Sequence, residues 1–164
     1  METLLSKYSE DRDGLHKQFS FTQDLDIDNT VHCSARAQRD IVNVSESSLN
    51  NMIEQISQGV VEKRRYFAEQ TVSQTGMGNV EHKIHKIGLV CDDVSKHLQT
   101  ITTSGRINSL QESVAEYASP VKVIFAVIPT TNPVPNSLFK ILHALKTRNS
   151  LILSYPRSCI KLAG

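Results

Sequence analysis

The residues best equipped for chemistry stand together in one short stretch, Val127-Ile128-Pro129-Thr130-Thr131-Asn132-Pro133. Two hydroxyls and a carboxamide follow directly on VKVIFAVI (121–128), a β-branched apolar run of strand length. Behind them Leu138, Ile141, Leu142 and Leu145 recur at helical spacing, starting just after two prolines. In open parallel sheets, ligands bind beyond the carboxyl ends of the strands, at loops of this kind. Thr130, Thr131 and Asn132 would offer such a ligand hydroxyls, an amide and backbone N–H groups. The same residues also make an ordinary helix start, with Asn132 as the cap and Pro133 in the first helical position, and local pattern alone favours that simpler role. No G-x-G-x-x-G follows the strand, so the usual dinucleotide fingerprint is absent.

The remaining reactive residues are scattered. Cys33, Cys91 and Cys159 are far apart, odd in number and form no C-x-x-C pair, so neither a zinc site nor a disulfide framework is indicated. His82 and His85 lie three apart without a metal-binding motif around them and read as solvated histidines; no metal is expected. Charge is unevenly distributed: residues 1–118 hold 12 Lys and Arg against 17 Asp and Glu, whereas residues 119–164 hold six basic residues and no acid. That basic segment suits an anionic ligand, or it pairs with acids elsewhere in the fold, and both readings stay open. The formal net charge of +1 gives no pointer to nucleic acid. No apolar run approaches the roughly 18 residues of a membrane span, and METLLSKYSEDRDG is not of signal-peptide type. The expectation is a cytoplasmic protein with neither a nucleic-acid nor a membrane partner.

These residues need elements to hold them. Residues 1–33 are acidic and polar and read as an extension, mostly irregular or poorly ordered. Residues 34–164 read as the folded part. Within 34–44 a short helix is expected. Ser45 is an N-cap candidate with Glu46 in the first turn. Leu49, Met52, Ile53, Ile56, Val60 and Phe67 then predict one long amphipathic helix over 45–75, ended by Gly76 and Gly78. Val80, Ile84, Ile87, Cys91, Val94 and Leu98 predict a second helix over 79–98, packed against the first. Short extended segments are expected near 106–117. The pattern over 121–154 is strand, loop, helix, strand, with Asn149 as the residue beyond the helix and LIL (151–153) in the second strand. It is one βαβ unit with a parallel pair.

Three stretches together resemble a known family. IPTTNPVPNSLFKILHALKTRNSLILSYPRS (128–158), QTGMGNVEHKIHK (74–86) and ARAQR (35–39) are similar, in order and close to spacing, to segments of the CoA-acylating aldehyde dehydrogenases. The aldehyde dehydrogenase half of the bifunctional aldehyde–alcohol dehydrogenases looks nearest. The resemblance covers residues 34–158. It implies an α/β fold, in which N-terminal helices lead into the first βαβ unit of a Rossmann-like cofactor domain that remains incomplete. It implies NAD as cofactor, CoA as cosubstrate and an aldehyde as substrate. Val127, Ile128, Pro129, Thr130, Thr131, Asn132 and Ser154 would line the NAD site, and Asn132 would contact a developing oxyanion or the nicotinamide. In the family a cysteine thiolate attacks the aldehyde, hydride passes to NAD and CoA accepts the acyl group. That cysteine lies in a later part of the family's sequence, and Cys159 matches no nucleophile motif. The expectation is therefore an N-terminal part of such an enzyme, inactive alone. The alternative is a non-enzymatic remnant, or an interaction module that associates with full-length relatives. Self-association is also expected, because one βαβ leaves a strand edge unpaired.

The resemblance has departures. Lys122 stands where the family has a glycine, and Ala126 where it has a second. Phe125 occupies a position where a small residue is common, and Tyr155 falls in a motif one residue short. A lysine inside a buried parallel strand is costly unless its ammonium reaches the edge.

Overall fold

The computed structural model describes residues 26–108 and 113–162. It divides into two compact units, Met1–Thr30 and Val31–Gly164, and the first contributes only residues 26–30 to the described part. Most of the expected 1–33 extension thus lies outside the described residues. Its last residues are not irregular: a helix, α1, runs Ile27–Ile41. Asp26 starts it, its carboxylate accepting the Asn29 N–H at 3.0 Å and its carbonyl the Thr30 N–H at 2.9 Å. An aspartate carboxylate that accepts the N–H three residues on is a helix cap.

The expected long helix is two helices, α2 (Glu46–Glu62) and α3 (Arg64–Thr75), with Lys63 between them at φ −105, ψ 9. Ser45 caps α2 as expected, its hydroxyl accepting the Ser48 N–H at 3.2 Å. The break at Lys63 coincides with a change of packing partner. Helix α2 packs mainly on the helix of the βαβ unit, whereas α3 packs mainly on the helix that follows it and on the 3-10 turn at Arg157–Leu162. Each half also touches the other's main neighbour, so the division is one of emphasis. Gly76 at φ +65 ends α3 in the left-handed conformation, and Gly78 at φ +81 completes the corner. Asn79 then caps α4 (Val80–Leu89), its side-chain oxygen accepting from Glu81 at 2.8 Å and His82 at 3.4 Å.

The α4 helix passes into a π turn, Val90–Val94, and then into α5, Ser95–Thr100. The wider turn inserts a residue into the helical period, and Val90 and Cys91 are both buried. Together with Ile53, Ala68, Ile87, Leu98, Leu138 and Leu142 they make one core between the helices. Each fully buried Ile or Leu there contributes about 1.5–3 kcal/mol.

A small antiparallel pair, β1 (Gly105–Arg106) with β2 (Tyr117–Ala118), occupies the polar segment. The βαβ unit follows as β3 (Val123–Val127), α6 (Pro133–Lys146) and β4 (Ser150–Ser154), with β3 and β4 parallel and in register from Val123↔Ser150 to Val127↔Ser154. Lys122 is not inside the strand. It precedes β3, exposed, at φ +88. The cost at this position is therefore one of backbone conformation and not of charge burial, and a left-handed φ is where glycine is at ease. Ala126 is buried and Phe125 is exposed.

The end of α6 also differs from expectation. The left-handed residue is Arg148 (φ +56) and not Asn149. The Arg148 N–H bonds the Leu145 carbonyl at 3.1 Å and the Asn149 N–H bonds the Ala144 carbonyl at 2.8 Å, the paired bonds of a Schellman cap. Arg148 holds this conformation because its side chain is committed. Its guanidinium donates to Thr103 at 3.2 Å, to the Val44 carbonyl at 3.2 Å and to Glu46 at 3.0 Å. Beside it Lys146, fully buried, pairs with Glu46 and donates to Asn50 at 2.7 Å.

Candidate functional site

The parallel register brings the carboxyl ends of β3 and β4 level, so Val127 lies opposite Ser154, and the Ile128 N–H bonds the Ser154 carbonyl at 2.9 Å. All seven of the sequence-derived candidates gather at this end. Val127 is exposed and Ile128 is buried at 2% exposure. Pro129 and Thr131 are exposed, and Thr130, Asn132 and Ser154 are half-buried.

Asn132 occupies the position before α6 at φ −143, ψ 64, but its side chain makes no capping hydrogen bond. Proline leaves little to cap: Pro133 and Pro135 have no N–H, and the Asn136 N–H already bonds the Asn132 carbonyl at 3.2 Å. The Asn136 side chain reinforces that bond at 2.7 Å. The same prolines weaken this helix end as a cradle for a phosphate, which needs a row of free backbone donors.

The carboxamide turns instead toward α4. Its oxygen accepts from the Lys83 ammonium at 3.1 Å and from the Lys86 ammonium at 3.4 Å. Lys83 also donates to the Thr131 carbonyl. Lys83 is only 5% exposed. Burial pushes its ammonium below the usual lysine range and the nearby Lys86 adds to this, while Cys159 acts in the opposite sense. The loop is pinned at its other side by Tyr155, whose hydroxyl bonds Ser137 at 2.7 Å, and Ser137 bonds the Pro133 carbonyl at 2.8 Å.

The lysines were missed as site residues when the sequence was read by type and spacing. Their signal was the QTGMGNVEHKIHK stretch, whose glycines and Asn79 build the corner and whose Lys83 and Lys86 reach the PTTNP loop. Gly78 has a second reason to be glycine: a Cβ there would lie 3.1 Å from Lys83 Cε.

None of the three cysteines is presented as a nucleophile at this loop. Cys91 is buried at the π turn, and burial, with Asp92 beside it, pushes its thiol up to about 11. Cys159 has no exposure and Cys33 is exposed on α1. Among the described residues no group of three or more His, Cys, Asp or Glu could hold a metal ion, and no helix is long and apolar enough to cross a membrane.

The arrangement can do a limited set of things. It offers the Asn132 amide nitrogen and the Thr130 and Thr131 hydroxyls at a strand's end, beside two lysines that make the locality electropositive. A carbonyl oxygen gaining negative charge, or a carboxamide, fits such donors. The donors fit the nicotinamide end of a dinucleotide; the proline-blocked helix end offers its phosphates little.

No family model matches the chain. Aldehyde-alcohol dehydrogenase 2 of Entamoeba histolytica is 30% identical over 118 residues, which is 71% of this chain and 14% of that protein. An acetylating aldehyde dehydrogenase from Geobacillus thermoglucosidasius superposes with a TM-score of 0.77 at 30% identity, over 82% of this chain and 30% of that one. Propionaldehyde dehydrogenase from Rhodopseudomonas palustris, solved with bound propionyl-CoA, gives a TM-score of 0.70 at 25% identity, over 83% of this chain and 30% of its own. The chain thus spans less than a third of the length of each.

Proposed function

This chain belongs, by sequence and by fold, to the CoA-acylating aldehyde dehydrogenase family, and we propose that its residues 127–132, with Ser154, form the nicotinamide and aldehyde end of an NAD-dependent acylating site. The observation that carries this reading is the state of Asn132. It stands at the helix start without capping it, its oxygen is taken by lysines, and its amide nitrogen is left to donate outward.

In this reading NAD supplies the hydride acceptor and CoA receives the acyl group, which makes the overall reaction aldehyde, CoA and NAD to acyl-CoA and NADH. What this chain's own residues contribute is binding and charge stabilisation. The Asn132 amide donates to the substrate oxygen as it gains charge, or to the nicotinamide carboxamide. Thr130 and Thr131 hydroxyls supply further hydrogen bonds. Lys83 and Lys86 favour negative charge nearby through the field of two ammoniums. The likeness to a neighbour solved with propionyl-CoA supports CoA as the acyl acceptor.

The chain alone is expected to turn over nothing, because two of its three thiols are buried and the exposed one, Cys33, adjoins Ser34, which bonds Ser150 at the amino end of β4, the end opposite the loop. Binding therefore tests the site. Titration of the ¹⁵N-labelled chain with NAD is expected to give saturable shifts at Thr130, Thr131, Asn132 and Ser154. A spectrum in which these four stay still while the fold is intact would sink the reading. NADH formed from acetaldehyde, CoA and NAD by this chain alone would sink the expectation of inactivity.

Self-association belongs to the same proposal. Phe125 is 65% and Val127 68% exposed on β3, whose second edge has no partner strand among the described residues. A sedimentation coefficient independent of concentration would argue against it.

A further inference from the structure

We propose that Lys83 is a positioning residue, which fixes the Asn132 carboxamide with its oxygen inward and its NH2 group toward the ligand. This rests on the reading of Asn132 as the outward donor.

An asparagine amide has two faces of opposite use, and its oxygen and nitrogen are nearly the same size. Left alone at a loop mouth it would rotate and present either. Here the choice is forced. An ammonium only donates, so the amide atom facing Lys83 at 3.1 Å and Lys86 at 3.4 Å has to be the oxygen. The nitrogen then faces the other way. Among the described residues it has no hydrogen-bond partner of its own. Lys83 is itself held: 5% exposed, bonded to the Thr131 carbonyl, with its stem running past Gly78 where a Cβ would stand 3.1 Å from Cε. Its reach from α4 joins two stretches separated by 48 residues. Lys86, at the longer distance and more exposed, assists.

Nuclear magnetic resonance of the labelled chain tests this without catalysis. The Asn132 side-chain NH2 pair, identified by its loss in Asn132→Ala, is expected to be as ordered as the backbone. Lys83→Met keeps the stem and removes the donor, and is expected to free the pair to the mobility of an exposed asparagine. Lys83→Arg, which restores donors, is expected to recover much of the order; a simple packing role for the stem would not separate Met from Arg. An unchanged, ordered pair in Lys83→Met overturns the proposal. If Lys83→Met fails to fold, residual dipolar couplings of the pair in the wild-type chain decide: one fixed orientation supports the proposal, and couplings averaged toward zero overturn it. An NAD titration separates this from the site reading. Lys83→Met is expected to weaken NAD roughly three- to tenfold, the range for one lost hydrogen bond, and to add nothing in an Asn132→Ala background. Equal losses in both backgrounds mean that Lys83 does not act through Asn132. A folded wild-type chain that ignores NAD counts against the site reading, while the order of the amide still settles the role of Lys83.

Discussion

The two ends of α6 carry the two motifs that most resemble the aldehyde dehydrogenases, and they are built on opposite principles. At the C-terminal end, Lys146 and Arg148 are buried and every donor described for them is spent inside the protein, on Glu46, Asn50, Thr103 and the Val44 carbonyl. At the N-terminal end, Thr130, Thr131 and Asn132 are half-buried or exposed, and the Asn132 amide nitrogen has no hydrogen-bond partner among the described residues. A motif shared with enzymes is therefore not one kind of information. LKTRN ties α6 to α2 and to the loop after α5, so it specifies a fold. PTTNP is left open and leaves donors for something else. Substitutions at the two ends should divide accordingly between stability and binding.

The largest effect is expected at the closed end. Arg148→Ala keeps the strained left-handed backbone and removes the interactions that justify it. Breaking one partner of a buried ion pair costs about 3–5 kcal/mol. Glu46 is 38% exposed and can turn toward water, so the lower figure, about 3 kcal/mol, is expected. Urea denaturation checks this; a change under about 1 kcal/mol, the scale of a surface pair, would put Arg148 among ordinary surface residues.

The same cluster sets an acid dependence. Burial on its own would raise the Glu46 carboxyl, but hydrogen bonds and charge from Lys146 and Arg148 outweigh it and hold the group below the usual carboxylate range. A group lowered in the folded state contributes stability that is present above its unfolded value and lost as pH falls through the folded one. Stability should therefore drop as pH descends below about 4.5, and Glu46→Gln should flatten that limb. The variant would be weaker near neutrality and closer to wild type in acid. An acid limb of the same slope in Glu46→Gln would show that other carboxylates govern it.

Much of the closed end could be anticipated in kind but not in partner. The β-branched run, the leucine stripe of α6, the Ser45 cap and the glycine corner at 76–78 are local patterns, and they appear where local physics puts them. The break at Lys63 carries no proline or glycine; the two halves of the apolar stripe pack mainly on different neighbours. The π turn at Val90–Val94 is likewise a packing decision, since the 80–98 seam reads as regular. Asn149 looked like the residue beyond α6 because asparagine tolerates positive φ; Arg148 takes that role because distant Glu46 and Thr103 hold its side chain. At the open end the candidate residues were legible by type, and the state of Asn132 was not, since Lys83 lies 49 residues away.

A smaller effect tests the entry to β3. Lys122 adopts φ +88, which costs a side-chain-bearing residue about 1–2 kcal/mol. Its backbone is what the fold uses: the N–H bonds Asn149 at 2.8 Å and the carbonyl accepts from Ser150 at 2.9 Å. Lys122→Gly keeps both bonds and relieves the strain, offset in part by the freedom glycine gains in the unfolded chain. A net gain of about 0.5–1 kcal/mol is expected. A loss would mean that the lysine side chain contributes something its exposed position does not show.

The smallest effect on stability, and the one that most sharpens the contrast between the ends, concerns Asn132. A capping asparagine is worth about 1 kcal/mol. Here no cap bond exists and Lys83 keeps the Thr131 carbonyl, so Asn132→Ala should cost only about 0.5 kcal/mol, the low end for a lost hydrogen bond. Asn132→Asp divides the side chain more finely. A carboxylate has the same shape, accepts from Lys83 and Lys86 at least as well as the amide oxygen, and gains charge assistance from both. It offers no donor. The fold should therefore be unharmed or slightly firmer while the NAD response at Thr130 and Thr131 disappears, aided by repulsion between carboxylate and any oxygen the amide would have served. Serine in this position keeps a hydroxyl and a cap candidate but cannot span the distance to both lysines with one atom and still present a second outward, so it too should lose the response. If Asn132→Asp bound NAD as the parent does, the open end would owe its ligand to some other group, and the two ends of α6 would differ only in exposure.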